Sequence, residues 1–137
     1  MPTPNEWFAR KLSGRLWKLR GPRRVVEEWK KSTGRGHYAK VALAAYPADA
    51  FSFESSNAWP ETQDQSHYEP YVLDGILDEL MQGPGEPVLG LRLVLEQAVV
   101  HGGESNGYSF YQAARLATQK ILSSGEGHRD NCYLVDG

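Results

Sequence analysis

Cysteine is almost missing from this sequence: Cys132 is the single one in 137 residues. One cysteine can form neither an internal disulfide nor a thiolate metal cluster. Such usage suits a reducing compartment, and the expectation is a cytoplasmic protein. Cys132 reads as a packing residue rather than a nucleophile. No apolar run approaches the roughly 18 residues that cross a bilayer, which excludes an integral membrane protein built on helices. No GxxxxGK[ST] loop is present, so no nucleotide is expected in the P-loop manner. HExxH, GxSxG and CxxC are missing too. Nothing in the spacing of His37, His67, His101 and His128 favours acid–base catalysis or a metal site. The expectation is a protein that is not an enzyme and that needs no cofactor.

What is present is ordinary globular composition, 40% hydrophobic and 23% charged. A chain of this length makes one domain and buries about two thirds of its unfolded surface without a disulfide or metal.

The net charge of −2 conceals an asymmetry. Residues 1–40 carry eleven Lys and Arg against three acids, whereas residues 41–137 carry four against fourteen. A basic arm over residues 1–22 thus precedes a more acidic domain over 23–137. Such an arm fits a polyanion, most simply RNA, or folds back on its own acidic body. Within it, Phe8, Leu12, Leu16 and Leu19 recur at helical spacing. Gly21-Pro22 then marks a break.

The domain opens with two strand-like runs, Arg23 to Lys31 and Tyr38 to Tyr46, around a Gly-rich turn, which together read as a hairpin. In the second run Val41, Leu43 and Ala45 share one face. Pro47 ends it, and Phe51 and Phe53 form a short strand. A helix is predicted from Glu69-Pro70, with Val72, Leu73, Ile76, Leu77 and Leu80 on its apolar face, ending at Gly83-Pro84-Gly85. Val88 to Val100 reads as a strand. Ser109 to Leu122 reads as a second helix, with Phe110, Ala113, Ala114, Ala117 and Ile121 three or four apart and Ser109 as its N-cap. Cys132 to Val135 reads as an edge strand. The order implies an α+β two-layer sandwich, a mostly antiparallel sheet with two helices on one face.

These segments also resemble, in order, one known family. Gly34-Arg35-Gly36-His37-Tyr38-Ala39-Lys40-Val41 is similar to the G-R-G-Q-Y-[AG]-x-V hairpin of domain IV of bacterial elongation factor G. Tyr68-Glu69-Pro70-Tyr71-Val72-Leu73-Asp74-Gly75-Ile76 resembles its Y-x-P-A-V-x-x-G-I helix start. Gln82-Gly83-Pro84 and Gly85-Glu86-Pro87-Val88 look like its A-G-P-L-x-G-x-P-V link. Leu91 to His101 looks like the strand and histidine-bearing loop that follow, and Phe110 to Ile121 matches its F-x-x-A-A-x-x-A helix. The resemblance covers about residues 23–123. His37 stands where the family has Gln, and no Arg follows His101.

The resemblance implies a fold with a left-handed βαβ unit and a non-catalytic domain that enters the decoding centre of the small ribosomal subunit. Nothing in the chain resembles the GTPase domain of the full factor, so the sequence reads as a stand-alone translation-factor-like module. The implied partner is ribosomal RNA or the small subunit. The expected RNA-binding residues are Gly34, Arg35, Gly36 and His37 at the hairpin tip, Lys30, Lys31 and Lys40 beside it, and His101, Gly102 and Gly103 in the second loop. Glycines let a backbone approach phosphate, guanidinium binds phosphate through two N–H groups, and lysines add nonspecific attraction. A second reading is a protein-interaction module, whose basic arm and acidic body bind a protein partner rather than RNA.

Overall fold

The computed structural model describes residues 15–31, 37–55, 68–81, 87–100, 106–123 and 130–136. Six strands and two helices occupy them: β1 (Arg15–Leu19), β2 (Arg23–Lys31), β3 (His37–Pro47), β4 (Ser52–Ser55), α1 (Glu69–Met81), β5 (Val88–Val99), α2 (Gly107–Leu122) and β6 (Cys132–Asp136).

The strands make one sheet in the order β2-β3-β5-β1-β6, with β4 also paired to β5. The β2–β3, β3–β5 and β1–β6 pairs are antiparallel, and β1 and β4 run parallel to β5. A parallel neighbour requires a crossover, and α1 supplies it between β4 and β5. This is the α+β sandwich, with its mostly antiparallel sheet, that the patterning predicts.

The expected periodicity is realised in β3: Ala39, Val41, Leu43 and Ala45 are all fully buried. They point to the helix side, together with Val25 of β2 and Leu91, Leu93 and Leu95 of β5. Val72, Ile76 and Leu80 of α1 and Phe110, Ala113, Ala114, Ala117 and Ile121 of α2 complete the core. Small residues in α2 allow close packing over the sheet, so the two helices form a single layer. The other sheet face carries Arg24, Glu28, Lys30, Tyr38, Lys40, Tyr46 and Arg92. Ion pairs lie across it, Arg24 with Glu96 at 3.2 Å and Arg92 with Glu54.

One difference from the expected layout concerns residues 15–19. Helical spacing predicts a helix there, within the basic arm, whereas Arg15–Leu19 is a strand between β5 and β6. Leu19 is fully buried and Trp17 packs partly buried on the core. These five residues satisfy the strand period as well as the helical one, and the free edges of β5 and β6 select the strand. The N-cap of α2 is also corrected: it is Asn106, not Ser109. Asn106 has an extended backbone (φ −149°, ψ 173°), and its Oδ1 accepts from the Ser109 amide at 2.8 Å and from Ser109 Oγ at 2.9 Å. Cys132 is buried, with its Sγ 3.9 Å from the Leu122 carbonyl oxygen.

Candidate functional site

The described strands that flank the two segments singled out by the sequence finish at the same end of the sheet. In the β2–β3 ladder Lys31 pairs with His37 and Lys30 with Tyr38, so residues 32–36 join the two strands at that end. In the β3–β5 ladder Lys40 pairs with Val99, so β5 ends beside the start of β3. The N-terminus of α2 lies at this end too, because Trp29 of β2 meets Tyr108 edge-on, with centroids 5.6 Å apart.

Of the predicted contact residues, Gly34, Arg35, Gly36, His101, Gly102 and Gly103 lie outside the described residues. Lys31 and His37 are described by their backbone alone, as the last and first residues of β2 and β3. Lys30 and Lys40 are described fully, and both stand on the sheet face that carries no helix.

Glu28 organises this pair of lysines. Its carboxylate accepts from the Tyr38 hydroxyl at 2.9 Å and lies 3.5 Å from Lys30 Nζ. Lys40 is its register partner across the ladder. The Tyr38 bond holds the Glu28 carboxyl below the usual carboxylate range, against some desolvation, with Lys30 and Lys40 adding to the effect. Burial, then the bond to Glu28, pushes the Tyr38 phenol up. The Lys30–Glu28 pair is exposed, and such pairs contribute little, so Lys30 can exchange its carboxylate for another anion at small cost.

Sequence reasoning missed the aromatic flank of this end. Tyr108 packs on Trp29 and stacks with Tyr111 at 6.3 Å. Tyr71 of α1 lays its ring against Gly107. The signal was available: Tyr71 and Tyr108 fall off the apolar stripes of their helices, and both are about half exposed. Trp29, by contrast, is a packing residue, as a tryptophan on a strand usually is.

Among the described residues no group of three or more His, Cys, Asp or Glu could hold a metal ion. No described helix is long and apolar enough to cross a membrane. A shallow depression lined by Pro22, Arg23, Arg24 and Tyr46 lies at the opposite end of β2 and β3 and includes none of the predicted contacts.

Comparison with known proteins places these features in a family. The sequence model described as Elongation factor G, domain IV, matches residues 19–126. Elongation factor G 2 of Bdellovibrio bacteriovorus is 26% identical over 103 residues, which is 71% of this chain and 15% of that protein. A crystal structure from Thermus thermophilus is similar with a TM-score of 0.68 at 27% identity, over 77% of this chain and 16% of that one. The chain thus spans a small fraction of the length of both relatives.

Proposed function

The chain belongs to the elongation factor G domain IV family and is a translation-factor-like module; from that premise we propose that it binds structured RNA of the small ribosomal subunit, near the decoding centre, without catalysing a reaction. The observation that carries this reading is the pairing of Lys40 with Val99. The described strands that flank residues 32–36 and 101–105 end side by side there, which supports the reading that the two segments share one RNA surface.

In this reading Arg35 binds a phosphate through its guanidinium. Gly34 and Gly36 let the backbone approach. His37 and His101 hydrogen-bond a base edge or a ribose, and Gly102 and Gly103 open the second loop to close contact. Lys30, Lys31 and Lys40 supply sequence-independent attraction. The protein would act where it meets ribosomes, in the cytoplasm, and no nucleotide enters the mechanism.

Co-sedimentation of the purified chain with small ribosomal subunits at two salt concentrations tests the proposal, beside an Arg35→Ala, His101→Ala double variant. Neutralising several phosphates makes binding fall steeply with salt. The expected result is salt-sensitive binding that the double variant loses. Absence of binding, or binding indifferent to both salt and substitution, overturns the reading.

A further inference from the structure

Two strands edge the sheet: β6 is short, with five residues, and β2 is long, with nine. Every residue of β2 pairs with β3 in one unbroken register, from Arg23 with Ala45 to Lys31 with His37. The β1–β5 and β3–β5 ladders, by contrast, each carry an irregularity. Among the described residues no strand pairs with the outer edge of β2. A long, regular edge is a template for another strand, and proteins commonly blunt it by shortening, bulging or charging it. Here the edge is charged but neither short nor bulged, so charge decides which strand fits.

The sheet face without helices carries four residues of β2, Arg24, Val26, Glu28 and Lys30, all exposed. Val26 is 59% exposed, the most of any large hydrophobic residue described. Its ladder partner is Ala42, whose methyl group covers little of it. A residue placed opposite Val26 on a further strand would cover the rest.

A second copy of β2 supplies that residue. Strands related by a two-fold axis through the sheet pair antiparallel, and each residue meets one on the same face. With the axis at Val26, Val26 meets Val26, and Arg24 meets Glu28 once on each side of the axis. Moving the axis to Glu27 sets Glu27 against Glu27, Arg24 against Lys30 and Arg23 against Lys31, all of like charge. Moving it to Val25 parts Arg24 from Glu28. Opposite charges across a ladder stabilise it and like charges destabilise it, so the edge selects its own copy in the Val26 register.

The present partners of these charges leave room for this. Arg24 faces Glu96 and Glu28 faces Lys30 at the surface, where a pair contributes little and is readily shared or exchanged. The helix layer leaves room too. α2 rests on β2 and β3 alike, tied to β2 by Lys120 with Glu27 and by Arg23 with the Ser123 carbonyl oxygen. A strand spacing of about 4.8 Å then brings the two copies of α2 to about 10 Å, within the packing range of helices.

We propose that the outer edge of β2 is a self-recognition surface: two copies of the chain pair β2 with β2, antiparallel about a two-fold axis at Val26, and join their sheets into one. This pairing does not rest on the RNA reading. The Lys31 ends of the paired strands lie at opposite ends of the joint, so the strand ends that lead to residues 32–36 stay apart.

Sedimentation equilibrium of the full chain, free of RNA, tests the proposal. The mass should rise with concentration from that of one chain toward that of two. Val26→Lys, which sets two ammonium groups at the axis, should weaken association about tenfold. Arg24→Glu alone and Glu28→Arg alone each set like charges opposite one another twice, and each should weaken it about tenfold. An equimolar mixture of those two variants should associate again, because each strand then carries one sign at both positions and meets the opposite sign on its partner. The Arg35→Ala, His101→Ala variant should associate as the wild type does, which separates this test from that of the RNA reading. Circular dichroism identifies a variant that has lost its fold, and the substitutions at the exposed Val26 and Arg24 then carry the test. A chain still monomeric at about 1 mM overturns the proposal, whatever other strand the edge accepts. So does association that Val26→Lys and Arg24→Glu leave unchanged, or a mixture that associates no more tightly than its components.

Discussion

Gly75 of α1 lies directly against the main chain of Tyr111 in α2. A Cβ at residue 75 would sit 2.4 Å from the Tyr111 carbonyl oxygen and 3.2 Å from the Ala114 Cβ. The two helices can share one layer because this position has no side chain. Gly75→Ala must push α1 away from α2, and with it Ile76 and Tyr71. The expected cost is about 1–3 kcal/mol, as for overpacking of a core, read from urea unfolding with an unchanged slope. An alanine variant as stable as the wild type would mean that the helices can separate freely.

Glu79 is 1% exposed, yet it is a carboxylate. It accepts from Gln119 Nε2 at 2.9 Å and faces Arg115 Nε at 3.4 Å, both from α2. Arg115 Nε is itself buried and has no hydrogen bond. Glu79→Ala leaves the Arg115 guanidinium without its ion-pair partner and the Gln119 amide without its acceptor, at a cost of about 2–4 kcal/mol. Glu79→Gln keeps an acceptor for Gln119 and should cost less. Chemical denaturation of the two variants checks the order.

Asn106 closes the first turn of α2 through the Ser109 amide. Removing it by Asn106→Ala should cost about 1 kcal/mol, and Asn106→Asp should be close to neutral. Thermal unfolding should show a midpoint lower by about 3–4 °C for the alanine variant. Ser109→Ala should have a smaller effect on the cap, because the amide of residue 109, not its hydroxyl, fills the cap bond.

The Tyr38–Glu28 bond predicts two pH effects of opposite sign. A carboxyl whose folded pKa is lowered contributes stability above its unfolded value and loses it as pH falls through the folded one. A phenol whose folded pKa is raised contributes stability below its unfolded value and loses it as pH rises toward the folded one. Tyr38→Phe should move the Glu28 carboxyl titration up toward the usual range near pH 4.3, about the value in peptides, as followed by carbon NMR. The stability difference between wild type and variant should shrink in acid. It should also shrink in alkali as the wild-type phenol ionises. An unmoved Glu28 titration would assign its shift to the lysines instead.

Much of this fold is legible in local pattern. Val41, Leu43 and Ala45 alternate, and the sheet buries them together. Phe110, Ala113, Ala117 and Ile121 recur at helical spacing, and α2 follows. These readings succeed because one buried face imposes its period on the residues that build it. The family is legible for a related reason: its motifs are short turns, helix starts and a glycine contact, each of which demands particular residues at fixed offsets.

The rest depends on contacts between residues far apart in the chain. Residues 15–19 satisfy two periods, and only the edges of β5 and β6, about 70 and 115 residues away in the ladder register, turn them into a strand. Asn106 and Ser109 are both good caps. The choice between them rests on where Tyr71 and Phe110 pack, the latter against Tyr68 at 4.8 Å. His101 and Arg35 are 66 positions apart in sequence. The Lys40–Val99 pairing is what starts their segments from neighbouring strands. The exposed tyrosines could be suspected from their helix positions. The meetings of Tyr71 with Gly107 and of Tyr111 with Asp78 required two helices to approach within the space that Gly75 and Gly107 leave open. Local pattern settles which residues turn inward, since period is a property of the backbone. Which inward and outward residues become neighbours is a property of the packed chain alone.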